Sequence, residues 1–174
     1  MANLPRLARR WHRIGAILVA IPFLVVIISG LLLQMKKEWA WIQPPTQSGI
    51  LAEPSLGLDQ ILTAVQKLPE AEVREWVDVD RLDVRPNRGV VKVRCNNGLE
   101  VQLDLSTGDV LQIAPRRSDL IESLHDGSWF HPFAKLAIFL PAGIIVFFLW
   151  LSGIYLWWLP GSVRRQKRKK RNAD

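Results

Sequence analysis

Cysteine is almost absent, since Cys95 is the only one among 174 residues. A disulfide framework, an iron–sulfur cluster and a Cys-based zinc finger each need several thiolates, so a single chain can hold none of them. The glycine-rich phosphate loop and the HExxH and GxSxG motifs are also missing. Catalytic activity of its own is therefore not expected. Cys95 ends a strand pattern and is predicted to be buried.

Acidic residues are scarce at both ends of the chain. Residues 1–13 carry four Arg and no acid, and residues 160–174 carry seven basic residues beside one acid, Asp174. Residues 34–133 hold 11 Lys and Arg against 15 Asp and Glu, so the net charge of +7 belongs to the ends. Next to membrane spans, basic ends indicate retention in the cytoplasm and contact with anionic lipid rather than with nucleic acid.

Two long stretches contain no charge at all. Residues 14–33 would form about 30 Å of helix and residues 136–159 about 36 Å, and both lengths can cross a bilayer. The first stretch could instead be a signal peptide. It is longer than the usual apolar region of about 7 to 15 residues, and no small-x-small cleavage pattern follows it. The sequence therefore predicts two transmembrane helices, cytoplasmic termini and an exported middle.

Aromatic and small residues mark the ends of these spans. Six of the eight Trp fall at predicted membrane interfaces. Small residues stand where two antiparallel helices would pack, and Pro22 and Pro141 are expected to kink or locally open the spans. The interface residues are Trp11, Trp39, Trp41, Trp129, Trp157 and Trp158. The packing residues are Gly15, opposite Ser152 and Gly153, and Ser29 and Gly30, opposite Ala142 and Gly143.

A small α+β domain is predicted between the spans. A polar, proline-bearing linker, 34–54, precedes it, the domain occupies 55–120, and 121–135 forms a pre-membrane segment. Apolar residues at helical spacing between 58 and 68 predict one amphipathic helix, capped by Ser55 and stopped by Pro69. A core of this size is marginal, so support from the spans or from a partner is expected.

The pattern then changes to the period of a strand. Leu99, Val101, Leu103 and Leu105 alternate with polar residues, which predicts one apolar and one solvated sheet face. Turn motifs at 86–89, 96–98 and 106–109 delimit four antiparallel strands near 81–85, 90–95, 99–105 and 110–114. Asp78, Asp80 and Asp83 are interpreted as a solvated acidic edge that deters aggregation, because no calcium-loop spacing accompanies them.

Three motifs in this order resemble the proteins with a PepSY domain and PepSY-associated transmembrane helices. They are the Arg10-Trp11-His12-Arg13-Ile14-Gly15 run that opens a span ending at 29–33, the stretch 101–111, and Leu124-His125-Asp126-Gly127 before a span ending at 152–158. The resemblance covers nearly the whole chain. It implies a bacterial inner-membrane protein whose small domain faces the periplasm.

The resemblance implies two different roles. The PepSY module also occurs in propeptides of secreted metalloproteases, where it resembles an inhibitory or folding-assisting domain. Larger relatives with about four spans resemble reductases that release iron from siderophores with b-type haem. The leading hypothesis is a non-catalytic binding, regulatory or accessory subunit for an unidentified membrane or periplasmic protein. The alternative is a haem b electron-transfer subunit linked to ferric siderophore reduction.

The candidate haem ligands are His12, at the cytoplasmic end of the first span, and His125 and His131, at the outer end of the second. One chain cannot share a haem between His12 and His125, because they lie about a bilayer apart. Two arrangements remain: His125 with His131, or a homodimer that pairs equivalent histidines. The structural alternative places His12 among headgroup-level arginines and lets Asp126 hydrogen-bond to His125.

Overall fold

The computed structural model describes the backbone of residues 4–171 and the side chains of residues 5–158. The chain forms two compact units. We call them the helix-pair unit, which ends at Gly30 and resumes at Ser123, and the sheet unit, Leu31–Glu122. The side chains of the predicted basic tail, 160–174, lie outside the described residues.

Two long apolar helices make up most of the helix-pair unit. Helix α1 spans Leu4–Gln34, and α4 spans Leu140–Arg171. The segments Pro5–Gln34 and Lys135–Trp158 are long and apolar enough to cross a membrane, which agrees with both predicted spans. Only 11% and 6% of their most apolar windows are buried, so their apolar side chains face outward, as expected of helices that lie in lipid.

Proline does not interrupt either helix. Helix α1 is continuous through Pro22, and α4 has Pro141 as its second residue, with helical backbone on both sides of it. The irregularity lies just before that proline, where Lys135–Phe139 forms a π-helical turn. The local distortion expected in the second span is therefore at the start of that span, in the turn before Pro141.

The sheet unit contains a four-stranded antiparallel meander in the order β1-β2-β3-β4. The strands span Val79–Arg85, Val90–Cys95, Leu99–Asp104 and Val110–Pro115, which confirms the predicted strands. Helix α2, Leu58–Gln66, precedes the sheet, and α3, Arg117–Asp126, follows it. Gly89, Gly98 and Gly108 have positive φ, as the three predicted turns require.

One sheet face forms the apolar core with α2. The alternation in β3 places Val101 and Leu103 there, and Ile61 and Val65 of α2 pack against the same cluster. Cys95 belongs to this cluster, which confirms its predicted burial, and burial raises the pKa of its thiol to about 11. The predicted cap was wrong: Gly57 precedes α2, and the Ser55 hydroxyl instead donates to Ser106 O at 2.8 Å.

The other face of the sheet is not solvated, which corrects the sequence interpretation. Glu100, Gln102 and Asp104 are at most 2% exposed. The predicted linker covers them: its segment 42–50, which we call the strap, lies on this face and hydrogen-bonds to it. Gln102 bonds to the backbone of the strap at residues 45 and 47, and Asp104 accepts the N–H of residue 50. These polar side chains therefore form hydrogen bonds with backbone groups of the strap instead of with water.

Candidate functional site

The candidate site lies in the helix-pair unit and begins with His125, near the end of α3. Its Nδ1 lies 3.0 Å from the hydroxyl of Ser29 in α1. The Ser29 hydroxyl donates to Val25 O at 2.6 Å. A hydroxyl has one proton, so while it donates to Val25 O, the hydrogen that joins the ring to Ser29 belongs to Nδ1 of His125. In the neutral ring, Nε2 is then a free lone pair.

His12 makes the same kind of contact near the opposite ends of the helices. Its Nδ1 lies 2.8 Å from the hydroxyl of Ser152 in α4, and that hydroxyl donates to Leu149 O at 3.0 Å. When that hydroxyl donates to Leu149 O, Nδ1 of His12 carries the hydrogen and Nε2 is its free nitrogen. We call the pairs His125–Ser29 and His12–Ser152 the two His–Ser clamps.

A glycine follows the serine in each clamp. A Cβ at Gly30 would stand 3.2 Å from Cε1 of His125, so a larger residue would displace the ring. A Cβ at Gly153 would stand 3.8 Å from Cε1 of His12, which is an ordinary contact. An imidazole ring therefore lies against each of the two Ser-Gly pairs that were predicted to pack the helices. The ring lies closer to the glycine at Gly30 than at Gly153.

Each clamp borders an apolar cavity of the helix-pair unit. A cavity of about 350 Å³ has His125 in its wall together with Pro22, Phe139 and Gly143. A second cavity, of about 410 Å³, has His12 and Ser152 in its wall. An imidazole with a free Nε2 beside an apolar cavity is one element of a haem-binding site, in which the other ring nitrogen is held by a hydrogen bond.

The residues after His125 hold its backbone in place. Asp126 accepts hydrogen bonds from the Ser128 N–H and hydroxyl and from Lys135 Nζ, the last at 2.7 Å. The Lys135 ammonium first, and then these Ser128 donors, lower the pKa of Asp126 to about 2. Gly127 has φ +82°, and a Cβ at this position would overlap the Phe139 ring. The hydrogen bonds of Asp126 are therefore with Ser128 and Lys135, in place of the expected one with His125.

His131 stands apart from both clamps. Its Nδ1 accepts the Phe133 N–H at 3.1 Å in an exposed turn. The structure does not bring His131 into the wall of the cavity that His125 borders. Among the described residues, no group of three or more His, Cys, Asp and Glu could hold a metal ion.

The other predicted packing residues differ in their surroundings. A Cβ at Gly15 would stand 3.2 Å from Leu149 Cδ2 and 3.4 Å from Ile145 Cγ2, so α1 and α4 approach closely there. Gly143 has nothing within 4 Å of that position and borders a cavity instead of a helix. The structure therefore gives no contact for the predicted packing role of Gly143.

The six tryptophans predicted at the interface are all exposed, between 54% and 81%. In the sheet unit, the Arg117 guanidinium lies 4.8 Å from the centre of the Trp41 ring and donates to Trp41 O. In the helix-pair unit, Trp129 meets Phe130 edge to face. The exposed residues are Trp11, Trp39, Trp41, Trp129, Trp157 and Trp158.

The predicted acidic edge proves to be charge-balanced. Asp80 pairs with Arg81 at 2.9 Å and Asp83 with Arg85 at 2.7 Å, both within β1. The Arg85 hydrogen bond lowers the pKa of Asp83. Asp78 accepts the N–H groups of Arg74 and Glu75, which lower its pKa. These aspartates act in local structure and do not converge on one point.

The sequence analysis missed a buried charge network in the sheet unit. Glu100, which is fully buried, accepts from Lys92 Nζ at 2.9 Å and Arg116 Nη1 at 2.7 Å. Arg116 also donates to Asp119 at 2.9 Å. In the register, Lys92 lies opposite Gln102 and Glu100 opposite Arg94, so Lys92 and Glu100 are diagonal neighbours on adjacent strands. Their opposite charges on the polar positions of these strands were the available signal.

A family model described as the PepSY-associated TM region matches residues 9–174. The match covers both apolar helices and the sheet between them, so the chain belongs to this family of membrane-associated PepSY proteins. No curated protein matches the chain. No solved structure matches it either.

Proposed function

We propose that the chain is an accessory subunit of a bacterial inner membrane, without catalytic activity of its own, whose sheet unit binds or regulates a partner. The charge distribution supports an orientation in which both termini are cytoplasmic and the sheet unit is periplasmic. The exposed apolar helices and the family membership support the membrane anchor.

The use of the buried ionisable groups of the sheet unit supports the proposal that this unit has no catalytic role. Glu100 pairs with both Lys92 and Arg116, and Arg116 also pairs with Asp119. Asp104 accepts four hydrogen bonds from Ile50, Ser106 and Thr107. None of these groups is free to act as an acid, base or nucleophile on a substrate. We therefore propose a binding role for this unit.

The observation that carries the binding proposal is the outer edge of β1. The strand pairs only with β2, so its other edge has no strand partner in the described sheet. Its charged side chains pair within the strand, and Val84 is 49% exposed. An unpaired edge of this kind accepts an extended segment of a partner as an additional strand.

Site-specific photo-crosslinking in cells tests this proposal. A photoreactive residue replaces Val84, on the β1 edge, and in a control replaces Thr63, on the exposed face of α2. We expect one discrete adduct from position 84 and none from position 63. Equal adducts at both positions, or none at either, would contradict a partner at this edge.

The second candidate function is one-electron transfer through haem b, and the two His–Ser clamps favour it. Nε2 of His12 and of His125 has no hydrogen-bond partner among the described residues, and each ring borders an apolar cavity. The residues therefore fit axial ligation, with Nδ1–H anchored by a serine. Haem would supply a reversible Fe(III)/Fe(II) couple. The clamps lie near opposite ends of the helix pair, so ligation by two histidines requires a homodimer that pairs equivalent rings.

Absorption spectroscopy of the purified, haem-supplied full chain separates the two candidates. If haem binds, a Soret band appears, and His12→Ala and His125→Ala each reduce it, whereas His131→Ala leaves it unchanged. A protein without a Soret band, or a band insensitive to both clamp substitutions, would eliminate the redox candidate.

A further inference from the structure

A basic pocket in the sheet unit has no part in the functions proposed above. It has a volume of about 460 Å³ and lies between the residues that follow α1, the strap and the β1–β2 turn. Four cations line it, namely Lys36, Lys37, Arg85 and Arg88, and no carboxylate does. This concentration of positive charge contrasts with the net charge of −4 over residues 34–133.

A close approach of two glycines builds the pocket from segments distant in sequence. Gly49 of the strap donates its N–H to Arg88 O at 2.9 Å, and a Cβ on Gly49 would overlap Gly89 O. Gly89 itself needs φ +62°. This close approach holds the strap against the β1–β2 turn. It brings the lysines that precede the strap to the same pocket as the arginines at the turn.

The cations of the pocket are only partly neutralised. Lys36 pairs with Glu122 and Arg85 with Asp83, but neither carboxylate lines the pocket. Arg85 also donates to the Thr46 hydroxyl at 3.2 Å, which fixes one side of its guanidinium. The side chains of Lys37 and Arg88 are exposed and have no hydrogen-bond or ion-pair partner among the described residues. The pocket therefore has net positive charge and two uncommitted donors.

We propose that this pocket binds the phosphate of an anionic phospholipid headgroup. Arginine matches the geometry of phosphate oxygens and lysine adds a point charge, so the combination is typical of phosphate sites. Lys36 and Lys37 follow the end of α1, at Gln34, by two and three residues. A cation so close to the end of a membrane span stands at headgroup level, where lipid phosphate is the most abundant anion. Free phosphate is the other source of the same chemistry.

The experiment counts lipids bound to the full chain by native mass spectrometry from detergent. The probes are phosphatidylglycerol, phosphatidylcholine and, in a competition arm, inorganic phosphate and glycerol phosphate. The test variant is Lys37→Gln/Arg88→Gln. The control, Lys67→Gln/Arg81→Gln, removes the same charge from exposed positions elsewhere in the sheet unit. Thermal unfolding in the same detergent verifies that both variants fold.

We expect one phosphatidylglycerol to bind in preference to phosphatidylcholine. The test variant should weaken that binding at least tenfold, and the control should change it less than twofold. Equal binding by the test variant and the wild type would overturn the proposal. Displacement of the lipid by millimolar free phosphate would overturn its lipid source. The measurement needs neither a protein partner nor haem, so its outcome is independent of the functions proposed above.

Discussion

The two units of the chain distribute polar and apolar groups in opposite ways. The sheet unit buries charge: Lys92, Glu100 and Asp104 are each at most 2% exposed, and all are paired or hydrogen-bonded. The helix-pair unit exposes its apolar side chains and forms the two His–Ser clamps from the buried Ser29 and three half-buried polar side chains. The difference reflects two solvents, because lipid accepts an apolar surface and water requires a polar one.

This contrast determines how each unit responds to substitution. In the sheet unit, removal of a buried charge leaves its partner unpaired in a low-dielectric core, which is costly. In the helix pair, hydrogen bonds between helices contribute little each, because packing supplies most of the association. The largest effects are therefore expected in the sheet unit and the smallest in the clamps.

Glu100→Gln should have the largest effect, lowering the free energy of unfolding by about 3 to 5 kcal/mol, because Lys92 loses its carboxylate. Thermal unfolding of the full chain in detergent measures it. Burial already lowers the pKa of Lys92, and the loss of Glu100 should lower it further. A depressed lysine pKa means that stability rises with pH. The deficit should therefore shrink as pH approaches about 10, the pKa of an unfolded lysine.

The matched control for Glu100 is Glu122→Gln, which breaks the exposed Lys36–Glu122 pair of similar length. An exposed pair contributes about 0 to 1 kcal/mol, so the control should leave the unfolding midpoint nearly unchanged. If both variants unfolded at the same temperature, the buried network would have no special structural role.

Gly49→Val should have the next largest effect, about 3 kcal/mol, because any Cβ there overlaps the backbone of Gly89. The strap would have to leave the polar face of the sheet. Hydrogen exchange at residues 47 and 50, whose N–H groups donate to Gln102 and Asp104, should then accelerate. Gly57→Ala is the control, since the atom nearest to its Cβ would be 3.6 Å away. Unchanged protection in Gly49→Val would show that the strap is not held at Gly49.

The sequence predicted the strands and both spans because period and length are local properties. The alternation in β3 is a genuine signal, and it placed Val101 and Leu103 correctly in the core. It could not show that the opposite face is also covered, because that cover comes from strap residues more than 50 positions earlier. In a sequence, a polar strand residue that bonds to water cannot be distinguished from one that bonds to the backbone of another segment.

The candidate site shows a similar limit. The sequence identified His12, His125 and the two Ser-Gly pairs, but it assigned the small residues to helix packing. Only the fold shows that each serine receives a histidine from another helix. Asp126 was assigned to His125 because the two are adjacent, but Lys135 lies nine residues away and pairs with the carboxylate more strongly.

Asp104→Asn alters the side chain that accepts a hydrogen bond from the strap. It should lower the free energy of unfolding by about 1 to 3 kcal/mol at pH 7. An asparagine would direct an amide donor toward the Ile50 N–H or give up its bonds to Ser106 and Thr107. The Ser106 hydroxyl first, and then the surrounding N–H groups, hold the pKa of Asp104 well below its usual range. The wild-type advantage should therefore be complete above about pH 4 and shrink progressively as pH falls from there toward the lower pKa of the folded state.

Unfolding midpoints between pH 7 and pH 2.5 measure this loss, and Glu53→Gln is the control for removal of an exposed carboxylate. A difference between wild type and Asp104→Asn that stayed constant down to pH 2.5 would show that the charge of Asp104 is not what holds the strap.

Ser29→Ala and Ser152→Ala should have the smallest energetic effect, about 0.6 kcal/mol each, because interhelical hydrogen bonds contribute little. Nitrogen NMR of histidine-labelled protein should nevertheless separate them. In the wild type we expect His12 and His125 to hold their proton on Nδ1. Each alanine should release its own histidine to exchange between neutral tautomers, and His131 and a Gly143→Ala control should show no change.

The two alanine variants should also differ from each other. Gly30 lies close against the His125 ring, whereas Gly153 leaves ordinary space beside His12. After loss of the hydroxyl, His125 should therefore stay ordered while its proton redistributes, and His12 should also broaden as its ring moves. Spectra that showed no tautomer shift in either variant would mean that the serines do not set the protonation of these rings. The free Nε2, on which the haem candidate depends, would then lose its structural basis.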